Sequence, residues 1–276
     1  RSAKNPMIAV GCGAINAGQE VLALAERLQA PVVSHRSGRG IVADDHLHGF
    51  NGVQGYELWP QTDLLIGIGS RLELQYDRWV DMPKGIKIIR IDIDPAQFFH
   101  RKPDVGIVAD SVIALTELNR SLENKGVSFS DNTERLQEAK AAANKKIYGI
   151  QPQVDYLQAI REVMPRDGFI SEESSQVGFS SIFGFPIYEP RTFVTCSYSG
   201  NLGYGFPTAL GVKVANPDKA VVAITGDGGF MFCVNELATA VQFKINLVTL
   251  VFNNNCWYNV QRDQAAIFDG RQHVSD

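Results

Sequence analysis

The sequence has few cysteines and lacks the spacing that would join them into a site. The four thiols belong to Cys12, Cys196, Cys233 and Cys256. No two of them form a Cys-x-x-Cys pair, so the pattern predicts neither a disulfide framework nor a zinc site. Scattered single thiols are typical of a reducing compartment, and we expect a cytoplasmic protein.

Long apolar runs, signal-peptide patterns and basic runs are also lacking. The first two absences argue against a membrane span and a secretory route. A formal net charge of −4 without a basic cluster argues against a nucleic-acid surface. We therefore expect neither a membrane nor a nucleic-acid partner. The length of 276 residues exceeds that of a typical single domain and favours two.

Short apolar runs alternate with amphipathic stretches in the first half of the chain. The strands predicted there are Met7–Val10, Pro31–Val33, Leu64–Ile68 and Ile86–Ile93. Predicted helices between them include Asn16–Gln29 and Ser111–Leu122. Continuous apolar strands that alternate with helices indicate parallel strands buried on both faces. We therefore predict a doubly wound α/β domain over residues 1–122.

A polar stretch and a second α/β pattern follow. Residues 123–150 end in a polar helix predicted from about Asp131 to Tyr148, and we interpret them as a linker and connecting helix. A second doubly wound domain with a parallel sheet is predicted over residues 151–276. Its predicted strands are Gly168–Ser171, Thr192–Cys196, Ala220–Thr225 and Asn246–Phe252. Its predicted helices lie near Val154–Met164, Pro207–Ala215 and Phe230–Val241.

The two ends of the sequence suggest that it is a piece of a longer protein. The chain begins at Arg1 rather than at Met, and only residues 253–276 follow the last predicted strand. A parallel sheet with an open edge is a pairing hazard. We therefore expect an excised or processed piece whose second domain is incomplete at its C-terminus.

A glycine-rich turn follows the third predicted strand of the second domain. The strand Ala220–Thr225 runs directly into Gly226-Asp227-Gly228-Gly229, and a helix is predicted from about Phe230. Glycines let the backbone approach a ligand closely, and free N–H groups at a helix start face anions. By itself the motif is weak, because a tight turn with an Asx hydrogen bond has the same sequence.

A second polar cluster strengthens the first. The next apolar strand ends in Asn253-Asn254-Asn255, and 24 residues from Gly229 to Phe252 leave room for one helix and one strand. One such crossover places both clusters at the same edge of neighbouring parallel strands. Asp227, Asn254 and a backbone carbonyl near Cys256 are therefore candidate oxygen ligands for Mg²⁺, with phosphate oxygens completing the shell.

These two motifs resemble the signature of enzymes that depend on thiamine diphosphate (ThDP). The wider similarity is to the group of acetolactate synthase, benzoylformate decarboxylase and benzaldehyde lyase, and it covers nearly the whole chain. The resemblance implies that Asp227, Asn254 and the carbonyl of Cys256 hold Mg²⁺. It also implies that Gly226, Gly228, Gly229 and Asn254 contact the cofactor at its diphosphate.

Two further segments share the resemblance. Ser199–Gly211 reads SGNLGYGFPTALG and is similar to the family's glycine-rich segment beneath the thiazolium ring, which implies contacts from Gly200 and Leu202. Without the resemblance, Leu202 is a core residue. Ser171–Gly178 reads SEESSQVG and looks like the first diphosphate loop, which implies contacts from Ser174 and Ser175. Without the resemblance, this stretch is a solvated helix start.

The resemblance also implies a reaction class. Members decarboxylate a small 2-keto acid or ligate it to a second carbonyl compound, as homodimers or homotetramers. The glutamate that activates ThDP lies on a separate pyrimidine-binding domain, so we assign no catalytic residue here and expect the piece alone to be inactive. Two alternatives stay open: a non-catalytic ThDP-binding homologue, and a nucleotide-binding α/β protein.

The nucleotide alternative depends on Gly11-Cys12-Gly13 after the first strand. The sixth position of the fingerprint is Asn16 instead of Gly or Ala, so a tight strand–helix turn is the better interpretation. The resemblance implies a Rossmann-like middle domain, which holds FAD or another adenine nucleotide in some members. Asp92 and Asp94 either meet a ribose or cap the end of their strand, and the sequence does not decide between these roles.

Overall fold

The computed structural model describes residues 3–275, which form two compact units. The first unit runs to Gly149 and also includes Pro186–Arg191. The second comprises Ile150–Phe185 and the residues from Thr192 onwards. Each unit contains one wholly parallel sheet with helices, so the predicted fold class is confirmed. None of the helices between residues 3 and 275 has the length and apolar character that a bilayer crossing requires.

The sheet of the first unit has six strands. They are β1 (Pro6–Val10), β2 (Val32–Ser34), β3 (Gly49–Phe50), β4 (Leu64–Ile68), β5 (Lys87–Asp92) and β6 (Val105–Val108). Their order in the sheet is β3-β2-β1-β4-β5-β6. The order reverses direction between β1 and β4, and open α/β sheets bind ligands at such a point.

Helices cover both faces of this sheet. They are α1 (Gly18–Leu28), α2 (Gly52–Tyr56), α3 (Gln97–His100), α4 (Ser111–Asn124) and α5 (Thr133–Tyr148). Ile8 and Val10 join a core that contains Leu24 of α1. Met7 on the opposite face joins a second core with Leu136 of α5. Strand β1 is therefore apolar at every position, as expected for a parallel strand buried on both sides.

The sheet of the second unit has four strands. They are β7 (Phe169–Glu172), β8 (Phe193–Thr195), β9 (Val221–Gly226) and β10 (Val248–Phe252). The helices are α6 (Gln153–Val163), α7 (Gln176–Gly184), α8 (Gly205–Ala215), α9 (Asp227–Met231), α10 (Glu236–Gln242) and α11 (Tyr258–Ile267). The strand order is β10-β9-β7-β8, so the direction of the connections reverses between β7 and β9.

One predicted helix is divided in two. The single helix expected near Phe230–Val241 is replaced by α9, which begins at Asp227, and by α10. Between them the backbone tightens, because the amide of Phe232 donates to the Gly229 carbonyl and the amide of Cys233 donates to the Phe230 carbonyl. These bonds span three residues instead of four, which ends an α-helix.

Candidate functional site

A cavity of about 470 Å³ lies at the carboxyl ends of β7, β9 and β10 in the second unit. The residues proposed from sequence as cofactor or metal contacts all line it: Ser174, Ser175, Gly200, Leu202, Gly226, Asp227, Gly228, Gly229, Asn254 and Cys256. They come from four separate segments of the chain. The cavity lies where the order of this sheet reverses, which is where α/β proteins bind ligands.

Strand register brings the two polar motifs together. Phe252 at the end of β10 pairs with Gly226 at the end of β9, so both strands stop at the same level. The amide of Asn255 donates to the Asp227 carboxylate at 3.1 Å and to the Asn253 side chain at 2.8 Å. The Asp227 carboxylate therefore lies against the turn that carries Asn254 and Cys256.

The oxygens gathered here suit a hard cation. No cluster of three His, Cys, Asp or Glu side chains occurs among residues 3–275, so an all-protein cage is not present there. Asp227 instead offers one carboxylate beside the amide oxygen of Asn254 and the carbonyl of Cys256. Mg²⁺ uses one or two carboxylates and takes its other oxygens from phosphates and water. The donor set fits that cation.

The glycine turn at the end of β9 is shaped by a tryptophan that the sequence did not single out. A β-carbon at Gly228 would lie 2.5 Å from the indole ring of Trp257. The ring and the turn approach each other closely only because residue 228 has no side chain. Trp257 also lines the cavity, so the first residues of α9 and the segment after β10 form one continuous wall.

The serines after β7 are held by local hydrogen bonds. Ser175 is the N-cap of α7, and its hydroxyl accepts the Gly178 amide at 3.0 Å. The Ser174 hydroxyl donates to the Gly200 carbonyl at 3.0 Å. Ser175 is buried, whereas a solvated helix start, the alternative interpretation of this stretch, would leave it exposed. The two bonds fix the end of β7 beside the glycine-rich segment.

Glu173 is the main residue of this region that sequence reasoning missed. It has no exposed surface, and its carboxylate accepts the amides of Gly203 at 2.5 Å and Gly205 at 3.1 Å. It also accepts the hydroxyl of Thr225 at 2.9 Å. Glu173 therefore joins the glycine-rich segment to the end of β9.

Two cysteines near the cavity are kept in the thiol form. Burial raises the pKa of Cys196, and the Glu172 carboxylate raises it further. Burial also raises the pKa of Cys233, with Glu173 adding to the shift. Because a thiolate is the nucleophile and the metal ligand, neither residue is suited to those tasks. The Cys233 thiol instead donates to the Gly203 carbonyl at 3.0 Å.

The glycines after β1 in the first unit have a packing role. A β-carbon at Gly11 would lie 2.3 Å from the Gly69 carbonyl oxygen, and the Gly13 amide donates to that oxygen at 3.1 Å. These glycines let the loops after β1 and β4 pack together. Asp92 accepts the Asp94 amide, and Asp94 accepts the Ala96 amide. Both aspartates thus make the strand-end turn that was one of their two predicted roles.

The fold and the cavity define an α/β protein with a cavity at the carboxyl ends of its parallel strands. Residues 1–118 match the family model described as the central domain of thiamine pyrophosphate enzymes. Residues 175–276 match the model for the C-terminal TPP binding domain of the same enzymes. The chain therefore belongs to the thiamine pyrophosphate (ThDP) enzyme family, and the resemblance seen in its motifs is confirmed.

Curated relatives show which activities occur among similar proteins. The chain is 31% identical to the acetolactate synthase large subunit of Haemophilus influenzae, over 98% of this chain and 50% of that protein. It is 31% identical to a glyoxylate carboligase of Escherichia coli O157:H7, over 96% and 48%. It is 28% identical to a probable 2-ketoarginine decarboxylase of Pseudomonas aeruginosa, over 96% and 49%. The chain thus spans about half the length of these relatives.

Proposed function

We propose that this chain anchors ThDP through Mg²⁺ as part of a 2-keto-acid decarboxylase or carboligase. The observation that supports the proposal best is the hydrogen bond between the Asp227 carboxylate and the Asn255 amide. It joins the glycine turn after β9 to the asparagine turn after β10 within one cavity. The names of the relatives, which include a decarboxylase, a carboligase and acetolactate synthases, agree with this reaction class.

Each lining residue then has a task. Asp227, the Asn254 side chain and the Cys256 carbonyl hold the metal, and the metal neutralises the diphosphate. Gly226, Gly228, Gly229, Ser174 and Ser175 leave room for the diphosphate and offer it hydrogen bonds. Gly200 and Leu202 support the thiazolium ring. When bound, ThDP supplies the carbon nucleophile that adds to the carbonyl of a 2-keto acid.

The proposal extends to the partners of the whole protein. We assign the substrate to the small 2-keto acids, and we expect a homodimer or homotetramer. The glutamate that activates the cofactor is expected on a pyrimidine-binding domain and is assigned to no residue of this chain. We likewise assign no adenine nucleotide to the first unit, because packing accounts for Gly11 and Gly13.

Calorimetric titration tests the anchoring role. The chain should bind ThDP in the presence of Mg²⁺, and excess EDTA should abolish the heat of binding. Asp227→Ala should weaken binding by at least about tenfold, because it removes the one carboxylate of the metal site. Asp263→Ala is the matched control, since Asp263 is exposed on α11 and paired with Arg262. Binding that is indifferent to both EDTA and Asp227→Ala would contradict the proposal.

A further inference from the structure

A buried carboxylate lies next to the cavity without a role in the proposed chemistry. Glu173 is fully buried, and both of its carboxylate oxygens accept hydrogen bonds. Oε1 accepts the Gly203 amide, while Oε2 accepts the Gly205 amide and the Thr225 hydroxyl. Buried charges are expensive unless they are satisfied in this way. The arrangement is therefore specific for a carboxylate.

Two glycines leave space for the Glu173 side chain. A β-carbon at Gly229 would lie 2.1 Å from Glu173 Oε1, and one at Gly205 would lie 3.1 Å from Oε2. Both glycines thus leave the space that the carboxylate fills. Because Gly229 belongs to the turn after β9, Glu173 contacts the metal-binding turn as well as the glycine-rich segment.

The glycine-rich segment is also held from its other side. The Gly203 carbonyl accepts the Cys233 thiol at 3.0 Å, while the amide of the same residue donates to Glu173. Gly203 has a φ of +77°, which is a left-handed conformation that favours glycine. The peptide groups on both sides of its α-carbon are therefore engaged. The loop of residues 199–205 is fixed at this point and carries Gly200 and Leu202 into the cavity.

We propose that Glu173 is a positioning residue, which sets the distance between the Leu202 wall of the cavity and the Asp227 turn. It does so by binding the loop of residues 199–205 to Thr225 and by filling the space beside Gly229. The ligand whose binding it controls is ThDP with Mg²⁺, so this inference rests on the proposed function. Glu173 itself contacts neither metal nor cofactor.

The hydrogen bonds of the Glu173 carboxylate can be tested with a variant of the same size. Glu173→Gln keeps the size of the side chain but replaces one acceptor oxygen with an NH₂ donor. That donor would face either the Gly203 amide or the Gly205 amide with Thr225, so at least one of these contacts is lost. Glu172→Gln is the matched control. Glu172 is the adjacent residue, is equally buried, and accepts a hydrogen bond from the Thr195 hydroxyl on β8.

Two measurements on the 276-residue chain test the inference. Hydrogen exchange without cofactor should be at least about tenfold faster over residues 199–205 in Glu173→Gln, since one charge-assisted bond is lost. Calorimetry with ThDP and Mg²⁺ should show an affinity about tenfold or more below wild type. Glu172→Gln should keep both values near wild type, even where its thermal stability falls.

The outcomes separate this inference from the proposed function. If the wild-type chain does not bind ThDP with Mg²⁺, the proposed function fails and the inference fails with it. If the wild type binds and Glu173→Gln binds equally well, only the inference is overturned. An equal loss of affinity in Glu172→Gln also overturns it, because any buried carboxylate would then serve.

A milder variant covers the case in which Glu173→Gln does not fold. Thr225→Val removes one donor and leaves the carboxylate on the two loop amides. We expect its affinity for ThDP with Mg²⁺ to fall by roughly two- to fivefold, as for one hydrogen bond. Unchanged affinity in this variant would then overturn the inference.

Discussion

Glycine at position 229 illustrates how a single missing side chain shapes the cavity. Any β-carbon there would overlap with the Glu173 carboxylate, which is itself held by three hydrogen bonds. Neither group can move without breaking contacts, because the turn after β9 and the end of β7 are both part of the sheet edge. Packing alone therefore requires glycine at this position.

Alanine substitutions at two helical glycines test this packing. Gly229→Ala should lower the free energy of unfolding by about 1–3 kcal/mol, because an overpacked site forces its neighbours to shift. Gly211→Ala in α8 should raise it by up to about 1 kcal/mol, since alanine is the better helix former. Apart from its chain neighbours and the backbone of its own helix, no heavy atom of residues 3–275 lies within 4 Å of the β-carbon position at Gly211. Urea denaturation measures both changes, and equal effects would contradict the steric account.

His35 follows β2 in the first unit and is kept neutral. Burial lowers the pKa of its imidazole to about 4, and the charges of Arg36 and Arg39 contribute. The Arg36 side chain donates to its ring nitrogen at 3.1 Å, which uses the neutral form. The unfolded chain takes up a proton near pH 6.5 whereas the folded chain does so near pH 4. The contribution of neutral His35 to the free energy of unfolding is therefore fully present above about pH 6.5, and it is lost as the pH falls toward 4.

His35→Gln should flatten that pH dependence while keeping an acceptor for Arg36. A pKa difference from 6.5 to about 4 corresponds to roughly 3 kcal/mol at its full extent. Unfolding free energies measured from pH 7.5 down to pH 4 should fall less steeply in the variant. The difference at pH 7.5 reports packing alone, because His35 is neutral in both states there. Parallel profiles for variant and wild type would contradict the assignment.

Sequence reasoning found the residues that short motifs identify, and it missed those that depend on distant partners. Asp227 and Asn254 follow strands whose ends must meet, so parallel-sheet geometry predicts their approach. Glu173 gives no such signal. Its hydrogen-bond donors are 30, 32 and 52 residues away, and only the folded chain brings them to one carboxylate.

At the level of elements, strands with a continuous apolar run were predictable, and the two edge strands of the first sheet were not. β1, β4, β5 and β9 are apolar runs and were expected at nearly their observed positions. β3 has two residues, which is too short for a periodic signal. β6 contains Gly106 and is largely exposed at the edge of its sheet, so it lacks the continuous apolar pattern of a buried strand.

The split between α9 and α10 was hidden for a related reason. The pattern near Phe230–Val241 predicts a single helix, because helical periodicity does not reveal an interruption of a few residues. The interruption lies where the Cys233 thiol donates to the Gly203 carbonyl. That contact joins residues 30 apart in sequence. A tertiary hydrogen bond accompanies the local tightening of the backbone.

The segment Pro186–Arg191 belongs to the first unit although its neighbours on both sides belong to the second. The Ile187 amide donates to the Asp44 carboxylate at 2.7 Å, and the Asp44 amide donates to the Ile187 carbonyl at 2.9 Å. Asp44 also pairs with the fully buried side chain of Arg39. The Asp44 carboxylate therefore holds this segment in place.

Asp44→Ala should expose the segment to proteolysis. Tryptic cleavage after Arg191 should be faster by about tenfold or more, since a buried hydrogen bond to a charged group contributes about 1.5–3 kcal/mol. Asp77→Ala, which removes an ion pair that is more exposed, should leave the cleavage rate unchanged. Mass spectrometry of timed digests locates the cuts. Resistance of the Asp44 variant equal to that of wild type would show that other contacts hold the segment.

On the scale of the whole molecule, both sheets are doubly wound, and each has a point where the strand order reverses. The two sheets differ in the loops at this reversal point. Between β1 and β4 the loops pack glycine against glycine. Between β7 and β9 the loops instead leave a cavity lined by polar groups and aromatic rings. The sequence predicted two doubly wound domains because apolar runs recur at regular spacing. Which reversal point stays open depends on loop packing, which no local pattern encodes.

The path of the chain has a consequence for how such proteins exchange parts. The polypeptide passes between the two units three times, near residues 149, 185 and 191. A gene spliced once near the codon for Gly149 would therefore carry Pro186–Arg191 away from Asp44, its partner in the first unit. A chimaera made from this chain would need either three junctions or a residue at position 44 that can accept the Ile187 amide. The hydrogen bonds of one six-residue segment thus restrict where this chain can be joined to another.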